Sequence, residues 1–198
     1  MKDMFEKTIA HYGRLDVQVN NAGYEGPNAA ITDQTYDNFI GVYNINVFGP
    51  FFGMKYAMKQ MIAQEKGAIV NIASNGSFVG AAGMSPYVSS KHAVLGLSKC
   101  AALEGAAHGI HVNCICPGAI NTPMMRKIKK EFLPLHPPRS DRNSFLYKML
   151  SSPCPYACVR LGANRAWIKY LFCENRLLPV AAEQEHGLDG RDFIVLNL

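Results

Sequence analysis

Three short apolar runs, at residues 15–20, 68–73 and 110–116, are separated by stretches of helical length. Apolar runs of this size, bounded by turn residues, read as buried strands. Residues 4–12 read as a helix ended by Gly13, and residues 24–31, with Gly26 and Pro27, as a loop. Thr32 or Asp33 is placed to cap the next helix. There Tyr36, Phe39, Ile40, Tyr43 and Val47 recur at helical spacing, followed by Phe51, Tyr56, Met58 and Met61. Pro50 predicts an offset or kink within this stretch, and residues 65–67 a turn. Residues 84–107 read as one more helix. Strand alternating with helix, with apolar strands, predicts an α/β fold: a parallel sheet with helices on both faces and right-handed crossovers. The strand ends carrying Asn21, Ser74 and Pro117 then share one edge, where ligands bind in open α/β sheets.

Ser74 closes the second apolar run, and thirteen residues later comes the pair Tyr87-x-x-x-Lys91. Alone, such a pair arises by chance. Here it opens the long helix, and residues four apart on a helix share a face. An ammonium beside a phenol favours the phenolate. A tyrosine brought down from about 10 becomes a proton donor and acceptor near neutral pH. That is the chemistry by which a carbonyl and an alcohol interconvert while a hydride moves.

Asn20-Asn21-Ala22-Gly23 follows the first strand, and Asn46 sits in Asn46-Val47-Phe48-Gly49. Pro117-Gly118 follows the third strand, with Asn121-Thr122-Pro123-Met124 just after. With Ser74, Tyr87 and Lys91 in order, these motifs resemble the classical short-chain dehydrogenase/reductase family over residues 3–131. The resemblance implies an NAD(P)-dependent oxidoreductase interconverting a secondary alcohol and a ketone on a Rossmann-like fold. It implies Tyr87 as general acid/base, Lys91 lowering its pKa and bonding the nicotinamide ribose, and Ser74 holding the substrate oxygen. Asn46 would anchor a water beside Lys91. Asn21, Ala22 and Gly23 would pass beside the adenosine ribose. Pro117, Gly118, Ile120 and Thr122 would flank the nicotinamide. Each has a plainer alternative: a strand-end cap for Ser74, a solvated helix lysine for Lys91, a polar group at a helix irregularity for Asn46. Thr122-Pro123 equally suits a helix N-cap with Pro at the first position. In the resembled family the helices matching residues 38–63 and 87–106 pair between subunits, so a homo-oligomer is a further expectation.

The pattern departs from the family at both ends. The family begins with a strand, a Gly-rich turn and a helix that cradle the dinucleotide pyrophosphate. Only nineteen residues precede Asn20 here, and a strand–helix–strand unit needs roughly thirty. Gly76 and Gly80 lie after the Ser74 strand, and Gly49 and Gly53 read as helix packing. The expectation is a fold without its first βαβ portion, and impaired binding of NAD or NADP. After residue 131 the composition shifts: fourteen of the seventeen Gly come earlier. Residues 133–142, rich in Pro, read as a loop, and 156–175 could form one helix. A last strand could follow Asp189-Gly190. A divergent covering segment and a shifted reading frame or alternative exon both account for such a tail. The expected division is therefore a partial catalytic domain at 1–131 and a divergent, poorly ordered tail at 132–198. An alternative class remains: a catalytically silent fragment whose helices only associate with partner subunits.

Composition narrows the partners. With 198 residues and 48% hydrophobic content, the chain reads as one domain with a substantial core. The net charge of +5 includes the run Arg126-Lys127-Ile128-Lys129-Lys130, read as the solvated face of a short helix. No nucleic-acid motif accompanies it. Cys154-x-x-x-Cys158 lacks a second paired motif, so no metal is expected. With no membrane-length apolar run and no signal peptide, a soluble protein in a reducing compartment, the cytoplasm, is the default.

Overall fold

The computed structural model describes residues 1–118, 122–124, 126–128 and 130, and the strand residues 160–161, 168–169 and 195–197. Helix α1, Lys2–Tyr12, ends on Gly13 in the left-handed region (φ 74), whose N–H donates to the Ile9 carbonyl at 2.8 Å. A glycine adopts that conformation at no steric cost. Strand β1, Val17–Asn20, follows Leu15, which is wholly buried. Gln64 grips the Leu15 peptide at both ends: its carbonyl accepts the Leu15 N–H and its amide donates to the Leu15 carbonyl, each at 2.9 Å.

Helix α2, Tyr36–Tyr43, is capped by Thr35, whose hydroxyl accepts the Asn38 N–H at 3.2 Å. Thr32 and Asp33, expected to cap it, lie one turn too early; the Asp33 N–H instead closes a turn onto the Ala30 carbonyl. A π-helical turn, Asn44–Phe48, joins α2 to α3, Gly49–Gln64. The irregularity expected from Pro50 is thus real but lies before it. Pro50 has no N–H for the residue 46 carbonyl, so the preceding backbone adopts wider i→i−5 bonding, Gly49 N–H to Asn44 oxygen.

Strand β2, Gly67–Ile72, helix α4, Ser85–Gly105, and strand β3, Ile110–Ile115, complete the central unit. All pairings among β1, β2 and β3 are parallel, with Asn20 opposite Asn71 and Asn71 opposite Cys114. In the tail, β4, Arg160–Leu161, pairs antiparallel with β5, Ile168–Lys169. Strand β6, Val195–Asn197, lies parallel to β1, giving the order β3–β2–β1–β6. The helix expected over 156–175 is replaced at these positions by the two paired strands. β-branched residues such as Ile168 favour strand pairing when a partner is in reach. The rest of 132–198, with the expected loop and poor order, lies outside the described residues.

The sheet is Rossmann-like, and among the described residues its helices cover one face. Asn71 shows this directly: its amide donates to Met54 Sδ on α3 at 3.2 Å and to Ser98 Oγ on α4 at 2.9 Å. Ile69, Val112, Cys114, Met54, Met61, Val94 and Ala102 pack into one core there. Val17, Val19, Ala68 and Val70, on the other face, are only partly buried. Successive right-handed crossovers between neighbouring strands necessarily fall on the same side. A polar ladder runs through this core: Gln18 Nε2 donates to Asn20 Oδ1 at 3.0 Å, and Asn20 Nδ2 to Asn71 Oδ1 at 2.6 Å. Gly53 admits it, since a Cβ there would collide with the Asn20 carboxamide.

Candidate active site

The C-terminal ends of β1, β2 and β3 gather the expected residues along one edge. Beyond β2, the Ala73 N–H donates to the Ile115 carbonyl at 2.8 Å and the Asn75 N–H to the Pro117 carbonyl at 2.9 Å. This extension of the ladder fixes Ser74 between two backbone bonds. Ser74 Oγ accepts the Gly76 N–H at 3.1 Å and so caps a short turn, Asn75–Ser77. The cap expected as the plainer reading is present, and it sets the hydroxyl beside Tyr87: a Cβ built on Gly76 would lie 3.5 Å from Ser74 Oγ and 3.7 Å from Tyr87 Cε1.

Tyr87 lies in the first turn of α4, and Lys91 one turn on. The Lys91 Nζ stands 5.7 Å from the centre of the Tyr87 ring and donates to the Ile72 carbonyl at 2.9 Å. Lys91 is 3% exposed; it is not a solvated helix lysine. Burial lowers its pKa to about 8, partly offset by the nearby Cys114 and Cys116 thiols. Tyr87 is held above its ordinary value. Burial is the main cause, opposed by the Ser74 hydroxyl and reinforced by the Glu25 carboxylate. The lowered tyrosine expected from Lys91 is therefore not found in this state. The ammonium lies over the ring face and spends a proton on Ile72, while burial acts on the hydroxyl itself.

Asn46, fully buried in the π-helical turn, clamps the Tyr24 peptide. Its carbonyl accepts the Tyr24 N–H and its amide donates to the Tyr24 carbonyl, both at 2.8 Å. The same amide donates to Ser90 Oγ at 3.0 Å, and Ser90 donates to the Tyr87 carbonyl at 2.6 Å. Asn46 thus joins the loop after β1 to the helix of Tyr87 and Lys91. A Cβ built on Gly23 would lie 3.5 Å from Lys91 Nζ and 3.9 Å from Asn46 Oδ1. Asn21, Ala22 and Gly23 are exposed along the edge, and Pro117 and Gly118 partly buried at the end of β3. Ile120 lies outside the described residues. Thr122 is exposed at the start of a helical turn, its carbonyl accepting the Arg126 N–H at 2.9 Å.

Four participants escaped the sequence reading. Ser90 carried a signal, three residues after Tyr87 and so on its face of the helix. Tyr24 and Glu25 carried none. Lys127 is exposed, as expected of a solvated face, yet its ammonium pairs with buried Glu25 at 3.0 Å across 102 positions of sequence, a separation that no local pattern encodes. Among the described residues no group of three or more His, Cys, Asp or Glu is arranged to hold a metal. Cys154 and Cys158 lie outside them.

Known proteins resemble this chain in sequence and in fold. Short chain dehydrogenase sequences match residues 1–132. (+)-Borneol dehydrogenase 2 of Salvia officinalis is 46% identical over 123 residues, covering 62% of this chain and 44% of that protein. An uncharacterized oxidoreductase of Bacillus subtilis (strain 168) is 47% identical over 115 residues, 58% of this chain and 44% of that protein. Among solved structures, ElxO with NADP bound matches with a TM-score of 0.62 at 40% identity, covering 65% of this chain and 52% of that one. NAD+-bound xylitol dehydrogenase matches with a TM-score of 0.62 at 36% identity, over 65% and 50%. The chain spans about half the length of these relatives. The matched span contains Ser74 just beyond β2 and Tyr87 and Lys91 on α4, and the chain belongs to the short chain dehydrogenase family.

Proposed function

We propose that this site interconverts a secondary alcohol and a ketone by NAD(P)-dependent hydride transfer. The observation that carries the reading is buried Lys91 one helical turn from Tyr87, with Ser74 Oγ at the strand end beside the same ring. The nicotinamide ring, when bound, supplies or accepts the hydride. Ser74 Oγ orients the substrate oxygen, and the Tyr87 hydroxyl gives it a proton or takes one from it. Lys91 has three N–H donors and uses one on Ile72. The other two suit ribose hydroxyls beside Gly23, where the missing side chain leaves room. Asn46 holds the Gly23–Tyr24 backbone against Lys91 and would order a water there. Asn21 and Ala22 line the path toward the adenosine end, and Pro117, Gly118, Ile120 and Thr122 that toward the carboxamide.

The relatives named for borneol and xylitol keep the substrate at the level of a class, an alcohol or ketone. For residues 1–198 by themselves we expect weak dinucleotide affinity, because this span contains no Gly-rich turn ahead of Asn20. Micromolar binding corresponds to about −8 kcal/mol, and the nicotinamide half alone supplies less. Phe48 in the π-helical turn, Phe51 and Phe52 on α3, and Leu103 on α4 are exposed, 39–70%. This supports pairing of two copies through the helices of residues 38–63 and 87–106.

The test is a ketone panel with NADH and NADPH at millimolar concentration, scored by cofactor oxidation and by isolation of the alcohol. The reading expects turnover dependent on a ketone. A folded protein that yields no alcohol with either cofactor would overturn it in favour of the silent fragment.

A further inference from the structure

Glu25 is a buried acid for which the proposed hydride transfer has no use. It is 9% exposed, and burying a carboxylate is costly unless it is paired. Its position is fixed by the backbone on both sides. Before it, the Tyr24 peptide is clamped at its N–H and its carbonyl by Asn46. After it, Gly26 has φ 73, and a Cβ there would come within 2.5 Å of Val42 Cγ2, so the turn admits only glycine. A carboxylate set so firmly meets the Lys127 ammonium at 3.0 Å.

Lys127 belongs to the helical residues 126–128. Its neighbour Ile128 is 5% exposed and packs with Met84, while Ala81, Val88, Met124 and Tyr87 itself lie against that pair. An ion pair on one side and an apolar cluster on the other therefore fasten the same short segment beside the Tyr87 ring.

We infer that Glu25 is a positioning residue of the site: through Lys127 it fastens the helical residues 126–128 against Tyr87. The inference rests on the assignment of Tyr87 as acid/base, and it deepens that assignment. Glu25 does not touch the reacting atoms; it holds the wall beside them. It also places a negative charge toward the phenol. The groups facing Tyr87 are Ser74 from the end of β2, Lys91 from its own helix, and Glu25 from the loop after β1, with Lys127 behind it.

The two charges act on Tyr87 with opposite signs, which separates positioning from mere stability. Removing the Glu25 charge eases ionisation of the phenol. Removing Lys127 leaves that charge uncompensated and makes ionisation harder.

The experiment compares Glu25→Gln, Lys127→Met and the swap Glu25→Lys with Lys127→Glu in the full chain. Two readouts are independent of turnover: hydrogen exchange at residues 126–128, and ultraviolet titration of Tyr87 against a Tyr87→Phe reference. Each single variant is expected to speed exchange at 126–128 by roughly five-fold, with the amides of β2 unchanged as evidence that the core is intact. The swap is expected to recover part of the protection. Tyr87 is expected to titrate at lower pH in Glu25→Gln and at higher pH in Lys127→Met. Unchanged exchange in both single variants, or a shift of Tyr87 in the same direction in both, would overturn the inference. An inactive chain that still shows the predicted pattern would count against the enzymatic reading alone.

Discussion

Lys91 anchors its ammonium on the Ile72 carbonyl oxygen, 2.9 Å away, on the strand that delivers Ser74 two residues later. The bond places a cation in the core, and its consequence is a pH-dependent stability. Lys91 has an ordinary pKa of 10.5 and about 8 in the fold. Below pH 8 the folded chain carries the full penalty of a buried charge. Between 8 and 10.5 the unfolded chain holds the proton and the folded chain releases it, so stability rises with pH.

Urea unfolding at stepped pH checks this. Relative to Lys91→Met, the wild type is expected to gain on the order of 1 kcal/mol per pH unit across that window. A flat difference between the two proteins would show that the amine is not held in a low-dielectric site.

The Asn20–Asn71 hydrogen bond at 2.6 Å is fully inside the core. Truncating either partner leaves a buried polar group without its mate, at a cost of about 1–3 kcal/mol. Asn20→Ala and Asn71→Ala should each lower the urea midpoint. The double variant should cost less than the sum by about 1 kcal/mol. Strict additivity would mean that the ladder does not join β1 to β2.

Gly53→Ala sets two effects against each other. Alanine favours a helix interior over glycine by roughly 0.5–1 kcal/mol. The new methyl, however, meets the Asn20 carboxamide, which its own hydrogen bonds pin in place. Overpacking of a core costs typically 1–3 kcal/mol. The clash should win, and thermal unfolding should show a lower Tm; a raised Tm would mean that Asn20 is free to move.

The parallel sheet was legible in the sequence because three apolar runs alternated with helical periodicity. The motif residues Ser74, Tyr87 and Lys91 lie on elements whose geometry brings them together. What escaped the sequence came from distance or burial. Thr35 displaced Thr32 and Asp33 as the cap because the helix starts a turn later. Pro50 announced an irregularity and Asn46 suited a polar group at one, but only the backbone shows it to be a π-helical turn ahead of the proline. The one-sided helix cover among the described residues follows from strand order, which apolar strands alone do not reveal. Glu25 and Lys127 are brought together by the fold across 102 positions of sequence. The direction of the Tyr87 shift was missed for a related reason: the sequence shows a neighbouring ammonium but not how deeply the phenol is buried.

The central claim is that Tyr87 exchanges the proton with the substrate oxygen held at Ser74. Steady-state ketone reduction by wild type, Tyr87→Phe and Ser74→Ala at millimolar cofactor tests it most directly. Tyr87→Phe removes one oxygen from a partly buried ring and should leave the fold intact. It is expected to lower kcat by at least about 10²-fold, with Ser74→Ala reduced as well and cofactor binding little changed in both. A Tyr87→Phe variant that turns over ketone at the wild-type rate would contradict the account.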